Sequence, residues 1–362
     1  MTQPAPSTSG ERAPRVFHLI PSDGFGGVET AARSAAEKSA SDCDLTVYFM
    51  AGATVASDRR RIADHPKRAL NHPLTTYRTI RDVLDARPDI LVCSLWRTML
   101  AGTIVKLLRP DTRLICFLHL DRVAWYDRAI HRLALWLADE IWADSQATLD
   151  ARVGPTPKPR RIISFVIEAN RAERPVIAAP TFVNWSRLHR QKGHDRAIEL
   201  IRLLRAAEID ATLDIWGADN GELPALERLA SGRGLAGLVR FCGPIDRDRL
   251  DQAADGATFF LQLSRNEGMA MSVIEGMQRG LVPVVTAVGE IGRYVDDGAN
   301  GMIVDPDDLA AAAKRIAAIL QSPPAVARLS AQARRTWAGH PFYAEDFCAA
   351  AKECWARRRG AA

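Results

Sequence analysis

The stretch Phe259-Phe-Leu-Gln-Leu-Ser-Arg-Asn-Glu267-Gly-Met-Ala-Met-Ser-Val-Ile-Glu275-Gly-Met-Gln-Arg-Gly280-Leu-Val-Pro-Val-Val285 decides the fold. Phe259–Leu263 is a short, mainly apolar run of the kind that forms a strand buried on both faces. A helix is expected to begin near Ser272 and to stop at Gly280, after which Leu281–Val285 enters the next strand. Gly268 permits a tight loop whose amides, with the helix start, suit phosphate or sugar oxygens.

Outward from this unit the same alternation recurs. Strands are expected at Val16–Pro21, Leu45–Met50, Ile90–Leu95, Leu114–Leu120, Glu140–Ala143 and Ile162–Val166. Helices are expected between them at Val28–Ser39, Leu74–Ala86, Thr98–Leu108 and Val123–Ala138. Pro155, Pro157, Pro159, Pro175 and Pro180 then break the pattern, which marks an interdomain crossing. It restarts with Thr181–Ser186, Leu213–Trp216, Val239–Cys242, Phe259–Leu263, Val282–Val285 and Met302–Val304. A last helix, Ala344–Arg357, carries Phe347, Ala351 and Trp355 at helical spacing. Two doubly wound parallel units follow, with ligands expected beyond the carboxyl ends of the strands.

Bulk properties fit this division. The chain has 362 residues, 47% hydrophobic and 25% charged, and a net charge of +5. It is too long for one ordinary core, and its charge is too small to argue for nucleic acid. Six scattered cysteines without a CxxC pair read as small buried hydrophobes in a reducing compartment. Residues 1–14 lack the apolar core of a signal peptide and read as a disordered tail, and no apolar run approaches a membrane span. A cytoplasmic location is expected.

Three loops carry candidate chemistry. In Pro21-Ser-Asp-Gly-Phe-Gly-Gly-Val-Glu29, Gly26 and Gly27 open a helix and allow close approach to a phosphate. Gly24-x-Gly26 approaches the dinucleotide fingerprint, but Glu29 stands where its third glycine belongs, which argues against a nicotinamide domain. In Arg187-Leu-His-Arg-Gln-Lys-Gly193, Arg187 and Lys192 suit a diphosphate, with Arg190, His189 and His194 adding positive density; a solvated basic loop is the alternative. In the third loop Glu267 is placed to accept hydrogen bonds from sugar hydroxyls. Glu275 has a competing structural role, because Ser272-x-x-Glu275 matches a capping box. His119 ends a strand and is a further candidate; His18 reads as core. The Asp-x-Asp pairs Asp42/Asp44, Asp246/Asp248 and Asp305/Asp307 read as structural, so no essential metal and no cofactor are expected.

Taken together these loops resemble the retaining GT-B glycosyltransferases of the glycogen-synthase-like clan, the bacterial group-1 type. The resemblance rests on Glu267 followed by Glu275, on Leu281-Val-Pro-Val-Val285, on Asp297-Gly-Ala-Asn-Gly301, and on the Gly26-Gly27 and Arg187…Lys192-Gly193 loops. It implies an acceptor-side Rossmann-like domain at 15–170, a linker at 171–180, a nucleotide-sugar domain at 181–338 and a helix at 339–362 returning to the first domain. It further implies that Glu267 contacts the transferred sugar, Glu275 the ribose, and Arg187 and Lys192 the diphosphate. His119 would lie near the anomeric centre. Amides of Gly26, Gly27 and of Gly268, Met269, Ala270, Met271, Ser272 and Val273 would help hold the donor. The sequence departs from the family at Met269 and Ala270, where an aromatic and a glycine are usual.

The resulting expectation is transfer from a UDP- or GDP-sugar to a glycan or lipid-linked acceptor in cell-surface polysaccharide synthesis. The alternatives are a non-catalytic sugar-nucleotide binder, a nicotinamide oxidoreductase, and a hydrolase using the two glutamates. Arg59, Arg60, Arg61, Lys67 and Arg68, with Trp125, Tyr126 and Trp136, leave open a peripheral contact with the inner face of the cell membrane.

Overall fold

The computed structural model describes residues 12–24, 26–38, 43–56, 61–65, 72–119, 128–170 and 177–360. The first sheet contains β1 (Arg15–Ser22), β2 (Asp44–Ala56), β3 (Arg61–His65), β4 (Ile90–Ser94), β5 (Arg113–Leu118), β6 (Glu140–Ala143) and β7 (Arg160–Ile162). Their order is β3-β2-β1-β4-β5-β6-β7. The second sheet contains β8 (Thr181–Trp185), β9 (Thr212–Trp216), β10 (Val239–Gly243), β11 (Phe259–Gln262), β12 (Val282–Val285) and β13 (Met302–Ile303), in the order β10-β9-β8-β11-β12-β13. The described pairings are parallel, except that β3 runs antiparallel to β2. Each sheet therefore reverses its winding once, between β1 and β4 and between β8 and β11, and such switch points are where ligands bind.

Helices cover both faces. In the first half they are α1 (Gly27–Lys38), α2 (Pro73–Ala86), α3 (Trp96–Leu108), α4 (Arg128–Leu137) and α5 (Gln146–Arg152). The second half has α6 (His194–Ala206), α7 (Leu223–Gly232), α8 (Leu250–Ala254), α9 (Met271–Gln278), α10 (Ile291–Tyr294), α11 (Leu309–Leu320) and α12 (Pro323–Thr336). Alternate strand residues feed opposite layers: Val16, Ile20, Ile90 and Val92 pack under α1, while Leu19, Leu91 and Cys93 pack under α3 and α4. Burial on both faces explains why these strands read as continuous apolar runs.

The last helix, α13 (Tyr343–Gly360), belongs to the first half's core. Ala31, Ala32, Ala35 and Ala36 give α1 a face of small side chains against which α13 lies closely. Tyr343, Phe347, Ala351 and Cys354 form its buried stripe, whereas Trp355 packs only at the edge. Arg357 donates to both oxygens of the buried Glu140 at 2.9 Å, and Arg161 donates to Asp346 at 2.8 Å. A charge-assisted pair clamps each end of the helix.

Several expectations change. The strand expected at Ile162–Val166 ends at Ile162. Beyond it Ile163, Phe165 and Ile167 point into the first core and Val166 into the second, while the Val166 carbonyl accepts from the Tyr343 amide at 2.7 Å. Its apolar alternation comes from threading between two cores, not from a sheet. The antiparallel β3 had no signal in the hydropathy pattern. Of the helix expected at Val123–Ala138, Arg128–Leu137 is observed, and Trp125 and Tyr126 lie outside the described residues. Arg12, expected in the tail, donates to Asp89 at 2.9 Å.

Phe347 is fully buried and touches the rings of His18, Phe117, Trp142 and Tyr343. Phe347→Ala is expected to cost about 3–5 kcal/mol. The loss should appear in urea unfolding of the first half, followed by the fluorescence of Trp142.

Candidate active site

The second-half site starts from two adjacent strand ends. After β8 the chain forms a 3-10 turn at Arg190–Lys192, and Gly193, with φ of +68°, leads into α6. A Cβ on Gly193 would strike the Leu263 carbonyl at the end of β11. Only glycine lets these two backbones meet. The loops are then sewn together. Gln191 donates to the Asn266 carbonyl at 2.9 Å, the Arg265 amide to the Gln191 carbonyl at 2.7 Å, and Arg265 to Asp195 through two bonds of 2.9 and 2.7 Å.

The result is a buried ion pair. Lys192 Nζ donates to Glu267 Oε1 and Oε2 at 2.8 and 3.0 Å. Glu267 is 4% exposed, and its Oε1 also accepts from Ser264 at 2.7 Å and Gln262 at 3.0 Å. Gln262 in turn accepts from Ser272 Oγ at 2.7 Å. Three donors on Oε1 and one on Oε2 leave acceptor capacity on Oε2. Arg187, on the same loop, is exposed. His194 adds no charge: burial lowers its pKa to about 4, and its Nε2 donates to the Arg187 carbonyl at 3.0 Å.

The capping box does not form. Ser272 lies inside α9, whose N-cap is Ala270, and its hydroxyl is used by Gln262. Glu275 is in the second turn, where Oε2 accepts from Trp185 Nε1 at 3.0 Å and Oε1 from Arg247. Arg247 and Arg279 also flank Glu168 at 3.6 Å, and Arg279 reaches Asp251 at 2.7 Å. Trp185, Arg247 and Glu168 belong to no local motif that would mark them as site residues, and their partners are distant in the chain; the end position of Trp185 on β8 is the one local signal.

Ala270 holds φ of +56° and ψ of 64°, a left-handed conformation that costs an L-residue roughly 1–2 kcal/mol. This is the position where the resembling family has glycine. The backbone need survives although the residue that meets it best does not. Val273's amide, expected to be free for a ligand, bonds the Ala270 carbonyl at 3.0 Å. The amides of Met271 and Ser272 precede that first helical bond, at the positive end of α9.

The first half supplies the facing wall. A Cβ on Gly27 would lie 2.7 Å from the Met271 sulfur, so the glycine loop after β1 abuts the start of α9. Glu29 folds back over Gly26, and burial raises its pKa, opposed by Arg33 and Arg187. A Cβ on Gly268 would lie 2.5 Å from the His119 carbonyl and 2.8 Å from Asp144 Oδ2. Met269 offers its carbonyl to Tyr294 at 3.1 Å, and the Glu290 amide donates to the Gly268 carbonyl at 3.0 Å. Glu290 also accepts from the Ala147 amide at 2.8 Å, a link between the halves.

His119 is 5% exposed, with its ring against Phe117 and Phe165 and its Nε2 at 2.8 Å from Ser94 Oγ. Burial holds its pKa well below the usual range, so the imidazole is neutral. Among the described residues no group of three or more His, Cys, Asp or Glu is arranged to hold a metal. Asp305 accepts from the Asp307 amide at 2.9 Å, and Asp308 caps α11 through Ala311 at 3.0 Å.

Two Rossmann-like sheets that share a six-strand order, the first with one further edge strand, meet at their switch points and define a GT-B architecture. Residues 166–336 match the model of the family described as glycosyl transferases group 1. Over 119 residues the chain is 34% identical to GDP-mannose:cellobiosyl-diphosphopolyprenol alpha-mannosyltransferase of Komagataeibacter xylinus, covering 32% of this chain and 30% of that protein. The chain spans about half the length, or less, of the curated relatives it matches. Sucrose-phosphate synthase of Thermosynechococcus elongatus superposes with a TM-score of 0.76 at 16% identity, over 96% of this chain and 100% of that one. HepE of Anabaena, solved with UDP and glucose, gives 0.74 at 17% identity over the same shares. These likenesses to solved structures establish the fold. The family-model match over the second half supports the group 1 glycosyltransferase family.

Asp144, at the end of β6, is a residue the sequence did not flag. Burial, with Glu290 nearby, pushes its pKa up to about 7, against hydrogen bonds from Thr148 and Ser145 that lower it. A raised carboxyl pKa stabilises the fold below the unfolded value of about 4, and that contribution is lost as pH rises through about 7. Asp144→Asn should therefore raise the melting temperature at pH 8 and much less at pH 5. Equal shifts at both pH values would count against the assignment.

Proposed function

We propose that this chain is a glycosyltransferase that moves a sugar from a UDP- or GDP-sugar, with retention of anomeric configuration, to a glycan or lipid-linked acceptor in cell-surface polysaccharide synthesis. The observation that carries the reading is the Lys192–Glu267 pair at the β8/β11 switch point. Around it lie the exposed Arg187, the N-terminus of α9 and the Gly26-Gly27 loop. The relative in Komagataeibacter xylinus is named for a GDP-sugar donor and a lipid-linked acceptor, and the Anabaena structure holds UDP and glucose.

Each group has a role in this reading. Arg187 and Lys192 neutralise the diphosphate and the charge that grows on it as the anomeric C–O bond breaks. The amides of Met271 and Ser272 and the Gly26-Gly27 loop add donors from two sides. Glu267 takes a sugar hydroxyl on Oε2 while Oε1 stays fixed by Lys192, Ser264 and Gln262. Glu275 takes the ribose with the lone pairs that Trp185 and Arg247 leave. The acceptor oxygen bonds to the anomeric carbon and its proton passes to the departing phosphate oxygen, with no metal and no cofactor required. Residues 15–170 form the acceptor side and 181–338 the donor side, joined through 171–180 and braced by 339–362.

The membrane contact belongs to the same reading. Among the described residues no helix is long and apolar enough to cross a membrane. On α4, Leu133 and Trp136 are 46% and 71% exposed, beside the exposed Arg128 and Arg132. Arg59, Arg60, Lys67 and Arg68 lie outside the described residues, as does the side chain of Arg61. These exposed groups support our proposal of a peripheral contact at the inner face of the cell membrane. Co-sedimentation with anionic liposomes should be strong at low salt and weak at high salt; no binding at low salt would remove it.

A thermal-shift screen of nucleotide-sugars identifies the donor, because a bound ligand raises stability by mass action. With that donor, Lys192→Ala should lower turnover roughly 10²–10³-fold, the cost of one lost transition-state donor. It also strands Glu267 in a buried place, so the variant's melting temperature must be read alongside. A folded Lys192→Ala protein with unchanged turnover would overturn the role. Glu267→Ala should damage transfer, whereas Glu275→Gln should chiefly weaken nucleotide binding.

A further inference from the structure

Beneath the site, two histidines share one hydroxyl. Ser94 Oγ, at the end of β4, lies 2.7 Å from His18 Nε2 and 2.8 Å from His119 Nε2. All three side chains are buried, His18 and Ser94 completely. The two Nδ1 atoms are buried and have no hydrogen-bond partner among the described residues. His18 stacks on Phe117 and Phe347, and His119 lies against Phe117 and Phe165.

Proton arithmetic makes this arrangement directional. A serine hydroxyl has one proton, so it donates to one imidazole and accepts from the other. The two rings must therefore be opposite tautomers. One leaves an N–H at Nδ1 without a partner, the other a lone pair. An orphaned buried donor is rarer than an under-used acceptor, so the deeper ring, His18, carries the lone pair. His119, which borders the cleft and whose carbonyl faces Gly268, carries the N–H.

The backbone at Ser94 is fixed to match. Leu95 holds φ of 70° and ψ of 160°, a conformation seldom taken by residues other than glycine. Thr98 Oγ1 donates to the carbonyls of Ser94 and Leu95 at 2.7 and 2.8 Å. Strain of this kind persists where the surroundings over-determine a residue, and here it sets the serine between the rings.

We propose that Ser94 and His18 are positioning residues for His119. The directed chain runs from His18 Nε2–H to Ser94 Oγ–H to His119 Nε2, and it fixes the Nδ1–H tautomer of His119. It also anchors the end of β5 where the first half meets the Glu267–Gly268 loop. The effect on transfer rests on the function proposed above; the tautomers do not. Burial keeps both imidazoles uncharged, His18 with a pKa near 3 and His119 well below the usual range, which suits a chain of neutral donors.

Nitrogen-15 NMR of the histidine rings in the ligand-free wild-type protein tests the chain without any assay. The expected result is one Nε2–H ring, His18, and one Nδ1–H ring, His119. Two rings of the same tautomer, a charged ring, or the reverse assignment would overturn it. Kinetics then separates the hydrogen bond from packing. His18→Gln retains an amide N–H donor and should keep kcat within about threefold, whereas His18→Phe retains the ring and should lower kcat tenfold or more. Donor KM should change little in either, because the diphosphate and ribose groups lie elsewhere. If His18→Phe matched wild type while His18→Gln fell, the pair would be packing alone. Absence of transfer by the wild-type protein would defeat the proposed function and leave the NMR result standing.

Discussion

The Lys192–Glu267 pair is the interaction on which the rest of the site depends. A carboxylate that is 4% exposed is costly unless its charge is met, and here one ammonium and two neutral donors meet it. Satisfying it requires that the loops after β8 and β11 run side by side. That demand explains Gly193, whose bare Cα lets the loops touch, and the Arg265–Asp195 pair that closes their outer edge. Gln262 then extends the network to Ser272 at the start of α9. One buried charge thus fixes two loops and a helix terminus relative to one another.

The cleft wall is set by close approach. Gly268 sits where any side chain would meet the His119 carbonyl and Asp144, and Gly27 where one would meet Met271. Both halves are held here by backbone proximity, backed by Glu290 on Ala147 and Arg293 on Asp150 at 2.8 Å each. Ala270 shows the same backbone demand met by a residue that pays a steric penalty for it.

Burial also decides which ionisable groups carry charge. His18, His119 and His194 are kept neutral by desolvation, so they add nothing to the cationic character that Arg187 and Lys192 bring to the cleft. Glu275 keeps its two oxygens on Trp185 and Arg247, in a cluster separate from that of Glu267. The two glutamates therefore face different partners, although eight positions of sequence suggested a symmetrical pair.

The sequence by itself determined the two winding units, nearly all strand positions, and the three loops at the carboxyl edges. Those features follow from local rules: apolar runs flanked by helical periodicity, and glycines where chains turn. It also marked Glu267, Arg187, Lys192 and the Gly26-Gly27 loop through their places after strands. The tertiary structure alone decided the partners. Ser272 matched a capping box, but Gln262 took its hydroxyl and α9 began one residue earlier, because the Ala270 turn sets the helix start. Trp185 with Glu275, Ser94 between His18 and His119, and Asp144 beside Gly268 join residues 25 to 124 positions apart. Pairings at that range arise from sheet order and desolvation, which no local window of sequence contains.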